Sequence, residues 1–190
     1  SGAGNSNRVD VAQIDPNKLI QETMANMSKV NSYHAKADLI LNAQKAQVEG
    51  DFGYDRVEFV TRNVDGTRTR TIAIEDESYI STDGGKTWQE DPIKGGQVIT
   101  DLITGPVGPG MRLAERGPYR VVGVEEVEGA STIHIQAGEQ EKLDVWIGED
   151  PKLGKVVRKI HLITETEEGD VDTTVVYSDF NKPVNVQPPR

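Results

Sequence analysis

The chain has 190 residues, with 21 Lys and Arg against 31 Asp and Glu and a net charge of −10. That length suits one domain at ~100 to 200 residues each, and the charge repels a polyphosphate backbone, which excludes nucleic acid as a partner. No apolar run reaches the ~20 residues that cross a bilayer, and the absence of cysteine removes disulfides, thiolate metal sites and thiol nucleophiles.

The opening SGAGNSNRVD is small, polar and unpatterned. Residues 1–14 therefore read as a flexible N-terminal tether to an anchor, or equally as an expression scar, ahead of a single domain over 15–190. No charged and apolar leader opens the chain, so a mature or trimmed start is expected. Asp15 suits a helix N-cap and Pro16 the first helical position. Leu19, Ile20, Thr23, Met24, Met27 and Val30 then recur at three- and four-residue steps, which predicts an amphipathic helix to about Asn31.

From Tyr33 the period changes to two. Tyr33, Ala35, Ala37, Leu39, Leu41 and Ala43 fall on one side and His34, Lys36, Asp38, Asn42 and Gln44 on the other, with Ile40 breaking the alternation. Such a half-apolar strand belongs in an antiparallel sheet with one covered face. Further strands are predicted around 46–53, 56–64, 67–75, 78–82, 119–127, 131–137, 141–147, 155–166 and 171–179, separated by turn signals such as Asp65-Gly66, Glu128-Gly129 and Gly169-Asp170. Between 93 and 113 the alternation fails. Val98, Ile99, Leu102 and Ile103 sit at helical spacing, and Gly105 to Gly110 predicts a mobile loop. The tail from Val184 carries no pairing pattern and reads as extended chain.

An antiparallel sheet of nine or ten strands must curl, split or close. With one long and one short helix to cover it, the fold class is α+β: a strongly curved antiparallel half-barrel whose helices cover the concave face. An apolar volume between sheet and helices follows, filled either by side chains or by a ligand.

Among the motifs, Ser81-Thr82-Asp83-Gly84-Gly85-Lys86-Thr87-Trp88 matches the Asp-box pattern S-x-D-x-G-x-T-W. One copy cannot build a propeller, so a structural hairpin is expected. His34, His134 and His161 lie in separate strands with no second ligand at metal spacing, which predicts surface or edge histidines and no metal site. No G-x-S-x-G elbow occurs, and Gly105 to Gly110 matches neither a phosphate-binding loop nor a dinucleotide fingerprint. The acidic clusters Glu75-Asp76-Glu77, Glu125-Glu126 and Glu165 to Glu168 read as solvated strand ends.

Taken in order, MANMSKVNSYHAKADLIL, YISTDGGKTWQED, YRVVGVEEVEGASTIHI, LDVWIGEDPKLGKVVRKIHL and VVYSDFNKPVNVQPP carry a resemblance over residues 16–189. The chain resembles the LppX/LprG family of bacterial lipoproteins and, more distantly, the LolA/LolB lipoprotein carriers. The resemblance implies a LolA-like half-barrel with a hydrophobic cavity for acyl chains. It further implies an exported cell-envelope protein, held on the outer side of the cytoplasmic membrane or in the periplasm by a lipid anchor upstream of Ser1, that binds and transports lipids or acylated molecules.

No catalytic residue and no cofactor is then expected. The expected cavity lining is Leu19, Ile20, Met24 and Met27 from the first helix, Val98, Ile99, Leu102 and Ile103 from the second, and Leu39, Leu41, Val145 and Ile147 from strands. By default the stripe of the first helix is core packing, and methionine suits a wall for ligands of variable shape. The alternatives are an envelope sensor or protein-interaction module with a filled core, bound to an envelope protein partner, and a hydrolase gathering His134 or His161 with a carboxylate and a hydroxyl.

Overall fold

The computed structural model describes residues 9–105, 113, 116–138 and 143–189. The loop expected over 105–110 lies, beyond Gly105, outside the described residues, as do residues 1–8 of the expected tether. The rest of that tether is built into the domain: Asp10 accepts from the Ala12 amide to start a short 3-10 turn at Val11–Gln13, and Ile14 packs against the core.

Helix α1 (Pro16–Met27) begins as its residues dictate, with the Asp15 carboxylate accepting from the amides of Asn17 and Lys18 and Pro16 in the first turn. It buries Leu19, Ile20, Thr23 and Met27. It stops short of the expected Asn31 because a residue far along the chain turns it: the Asn31 amide donates to Asn181 Oδ1 at 2.6 Å, and Asn181 Nδ2 donates to the Lys29 carbonyl. Helix α2 (Gly95–Thr104) begins earlier than Val98, because the buried Asp91 carboxylate accepts from the amides of Ile93 and Gly95.

The strands are β1 (Ser32–Leu41), β2 (Gln44–Gly53), β3 (Arg56–Arg62), β4 (Arg68–Ile74), β5 (Glu77–Ser81), β6 (Gln89–Glu90), β7 (Tyr119–Val127), β8 (Ala130–Ala137), β9 (Leu143–Asp150), β10 (Gly154–Thr166) and β11 (Gly169–Ser178). They form one antiparallel sheet of 11 strands in the order β6-β5-β4-β3-β2-β1-β11-β10-β9-β8-β7. Two meanders thus meet where β1 pairs with β11, and the sheet curves without closing, with β6 and β7 as its edges. Only the two-residue β6, which follows the Asp box, was not expected from the sequence.

The alternation expected for β1 is present, with Tyr33, Ala35 and Ala37 buried and Leu39 and Leu41 half-buried. Its register with β2 sets Tyr33 opposite Phe52 and Ala37 opposite Val48, so two inward rows face each other. Both helices lie on this concave face, α1 against β10 and β7, and α2 against β4 and β5. The α2 contact requires glycine: a Cβ on Gly96 would stand 2.8 Å from Ser78 Oγ and 3.0 Å from Ala73 Cβ. The tail, expected as extended chain, forms no helix or strand over residues 182–189 and packs back on the β2–β3 end, where Val186 is buried and its carbonyl accepts from Arg56.

Candidate functional site

An apolar concavity among the described residues opens between the C-terminal half of α1, the start of β1, the end of β2 and the α2 residues Thr100 and Thr104. It measures about 510 Å3, within the ~300 to 1,000 Å3 typical of ligand pockets. Met24, Met27 and Val30 form one wall, Tyr33 and Phe52 another, and Tyr54 stands at its edge, 96% exposed. An aromatic stack crosses this region. Tyr33 lies on Phe52 with centroids 5.7 Å apart, Phe52 on Phe59 at 5.8 Å, and Tyr177 meets Tyr33 edge-on at 5.4 Å.

Two tyrosine hydroxyls join the sheet to α2. Tyr33 Oη is 2.5 Å from Thr104 Oγ1, and Tyr177 Oη donates to the Ile103 carbonyl at 2.8 Å. Burial pushes the Tyr33 phenol up to about 12, partly offset by the Thr104 hydrogen bond, and burial raises the Tyr177 phenol well above its ordinary value. Both stay neutral over the physiological range. The concavity therefore offers apolar surface and a few neutral hydroxyls, a chemistry that suits a hydrocarbon chain better than a charged group.

Of the residues expected to line a cavity, Met24 and Met27 do so. Leu19, Ile20, Ile103, Val145 and Ile147 are buried within the packed core, with Leu39 and Ile99 half-buried against it. Leu41 is half-buried at the end of β1 away from the concavity. Val98 and Leu102 are not brought to the concavity: they are 64% and 37% exposed on the outer side of α2. The reason is rotational. Seating Gly96 and Ile103 on the sheet leaves Val98 about 200° around the helix, since each residue advances it by ~100°.

Sequence reasoning missed Phe52, Tyr54, Thr100 and Thr104, and it left Val30 and Tyr33 out of the lining although it placed Val30 in the apolar stripe of the first helix and Tyr33 on the inward face of β1. Pairing β1 with β2 through the turn at Asn42-Ala43 brings Tyr33 opposite Phe52, so that signal was available.

The histidines form a polar network on the outward face of the sheet. His34 meets Asp51 and Glu49 at 2.8 and 3.3 Å. His134, stacked on Trp146, meets Glu125 at 2.9 Å and Asp144 at 2.6 Å, while His161 meets Asp172 at 2.9 Å and Asp144 at 3.6 Å. Each ring nitrogen thus faces a carboxylate, and no hydroxyl nucleophile is paired with any of them among the described residues. The arrangement named for a hydrolase, His134 or His161 with a carboxylate and a hydroxyl, is therefore not assembled among the described residues. No group of three or more His, Asp or Glu suited to a metal ion occurs among the described residues.

The Asp box is a turn. Asp83 accepts from the Ser81 and Thr87 hydroxyls and from the amides of Lys86 and Thr87, which hold its carboxyl below the usual range, Thr87 contributing most. Trp88 Nε1 donates to the Gly85 carbonyl, and Arg70 lies over the Trp88 ring at 5.8 Å.

An unclosed antiparallel half-barrel, with helices on its concave face and an apolar concavity beneath them, defines a fold of the LppX/LprG type. The Mycobacterium tuberculosis lipoprotein LppX superposes with a TM-score of 0.61 at 14% identity, covering 90% of this chain and 97% of that one. LprF from Mycobacterium bovis superposes at 0.65 with 12% identity, covering 91% and 96%. At these identities the likeness is one of fold. No family model and no curated protein matches the chain.

Proposed function

We propose that this protein binds a lipid or acylated molecule, without catalysis, by taking an acyl chain into the concavity between α1, α2 and the β1–β2 end of the sheet. The observation that carries the reading is that concavity: about 510 Å3 walled by Met24, Met27, Val30, Tyr33 and Phe52, beside a packed apolar core. Each methylene removed from water contributes about 0.8 kcal/mol, so a chain of ordinary length supplies ample driving force before ordering costs. The mycobacterial lipoprotein LppX, of the same fold, supports placing the protein in the cell envelope, exported and held there by a lipid anchor upstream of Ser1. Transport of the bound lipid is part of the same proposal.

Native mass spectrometry with organic extraction tests it. Lipid at near one molecule per chain, or uptake from added vesicles, supports the reading. Met24→Trp, which fills the cavity from α1, should then abolish uptake with little change in melting temperature. A clean apo mass with no uptake favours a second reading, an envelope interaction module with a filled core. That reading is supported by Ile93, Val98 and Leu102, apolar residues in and before α2 that are 81%, 64% and 37% exposed.

A further inference from the structure

The outward face of the sheet carries a feature that lipid binding in the cavity does not use. Arg62 and Arg68 stand directly opposite each other in the β3–β4 ladder. Val57 and Phe59 of β3 point into the core, so by alternation Arg62 points away from it, and Arg68 shares its face. Both are exposed, and both line a shallow concavity of about 380 Å3 together with Lys36, Asp38, Gln47 and Glu49.

Like charges directly opposite each other destabilise a sheet unless something neutralises them. Among the described residues no side chain does. The carboxylates within the concavity are already engaged: Asp38 with Lys45 at 2.8 Å and with Gln47, and Glu49 with His34 at 3.3 Å and Lys36 at 3.8 Å. The neighbouring Arg70 has its own partner in Glu58. Neither Arg62 nor Arg68 has an ion-pair or hydrogen-bond partner among the described residues, in a chain where acidic residues outnumber basic ones by 31 to 21.

We infer that Arg62 and Arg68 form an oxyanion site on the outward face of β3–β4 that takes a phosphate group. Two planar guanidinium forks on adjacent strands present several N–H donors to one tetrahedral anion, a geometry that a carboxylate or phosphate satisfies and a lone lysine does not. Val60, 39% exposed and lining the same concavity, adds apolar surface. The phosphate comes either from a membrane-lipid headgroup or from a soluble phosphate, and the site is independent of the cavity, which opens on the opposite face.

The test compares the full chain with Arg62→Gln/Arg68→Gln and with Lys86→Gln/Lys152→Gln, a control carrying the same change in net charge. The probes are inorganic phosphate, followed by calorimetry, and sedimentation with vesicles of phosphatidylcholine with or without phosphatidylglycerol at low salt. The expected result is that the wild type binds one of these probes and the arginine variant binds it about tenfold or more weakly, as loss of charge-assisted hydrogen bonds implies, while the control is unchanged. Binding of free phosphate assigns the soluble source. Binding that requires phosphatidylglycerol, with none to free phosphate, assigns the headgroup. The arginine variant should melt no lower than the wild type, because removing opposed like charges relieves the ladder, so lost binding is separable from lost folding. Failure of the wild type to bind either probe, or equal loss in the lysine control, overturns the inference.

Discussion

The Tyr33 hydroxyl lies 2.5 Å from the Thr104 hydroxyl, tying β1 to the last residue of α2 at the wall of the cavity. Both side chains line that cavity, so the bond fixes one of its dimensions. Tyr33→Phe keeps the ring stack and removes only the hydroxyl. Its expected cost is about 1 kcal/mol, the net worth of an ordinary hydrogen bond, with faster release of bound lipid. Urea denaturation of Tyr33→Phe, Thr104→Val and the double variant checks this, since a coupling energy indistinguishable from zero would show that the two hydroxyls do not act as a pair.

The same burial makes stability pH-dependent on the alkaline side. A phenol whose folded pKa is raised keeps its proton in the native state after the unfolded chain has lost it, so its contribution is full below the ordinary 10.0 and is lost as pH rises toward the folded value. For Tyr33 that window runs from 10.0 to about 12, and Tyr177, raised well above 10.0 by burial, extends it in the same direction. Ultraviolet titration should show Tyr33 and Tyr177, of the five tyrosines in the chain, ionising only as the protein unfolds. Rapid, reversible ionisation of all five at constant circular dichroism would contradict the buried placement.

How far these relationships could be read in advance differs from residue to residue. Asp15 and Pro16 announce the start of α1 because capping is local, whereas its end depends on Asn181, which lies 150 residues beyond Asn31 and leaves no periodic trace. The inward face of β1 follows from alternation alone, and with it the half-barrel. The cavity does not, because it is where packing is incomplete. Periodicity reports that Leu19, Val145 and Ile147 face inward, yet not that they are fully packed while Met24 is not. For α2, four apolar residues at helical spacing define a face, but the close approach of Gly96 to Ala73 and Ser78 sets the rotation that turns Val98 and Leu102 outward.

Gly96→Ala tests that contact. The added methyl would stand 2.8 Å from Ser78 Oγ, 3.0 Å from Ala73 Cβ and 3.2 Å from Thr71 Cγ2, so α2 must lift from β4 and β5. Helix propensity favours alanine over glycine by about 1 kcal/mol, while overpacking costs about 1 to 3 kcal/mol. The expected balance is a net loss of stability, accompanied by faster amide exchange in α2 than in α1. A variant as stable as the wild type with unchanged exchange in α2 would mean that the helix does not rest on this glycine.

Asp83→Ala separates the structural from the functional reading of the Asp box. The carboxylate serves two hydroxyls and two amides of its own turn and touches nothing in the cavity. Its loss should lower the melting temperature and alter Trp88 fluorescence, because Trp88 is held by the Gly85 carbonyl of the same turn, while lipid uptake stays unchanged. Acid should act in the same direction. Hydrogen bonds from Thr87, then from Ser81 and the turn amides, depress the Asp83 pKa below its ordinary 3.8, so its contribution is present above that pH and fades as pH falls toward the folded value. The wild type should therefore lose more stability below pH 3.8 than Asp83→Ala does, and parallel acid titrations would remove Asp83 as the group responsible. Lipid uptake lost in a folded Asp83→Ala variant would instead make the turn part of the binding apparatus.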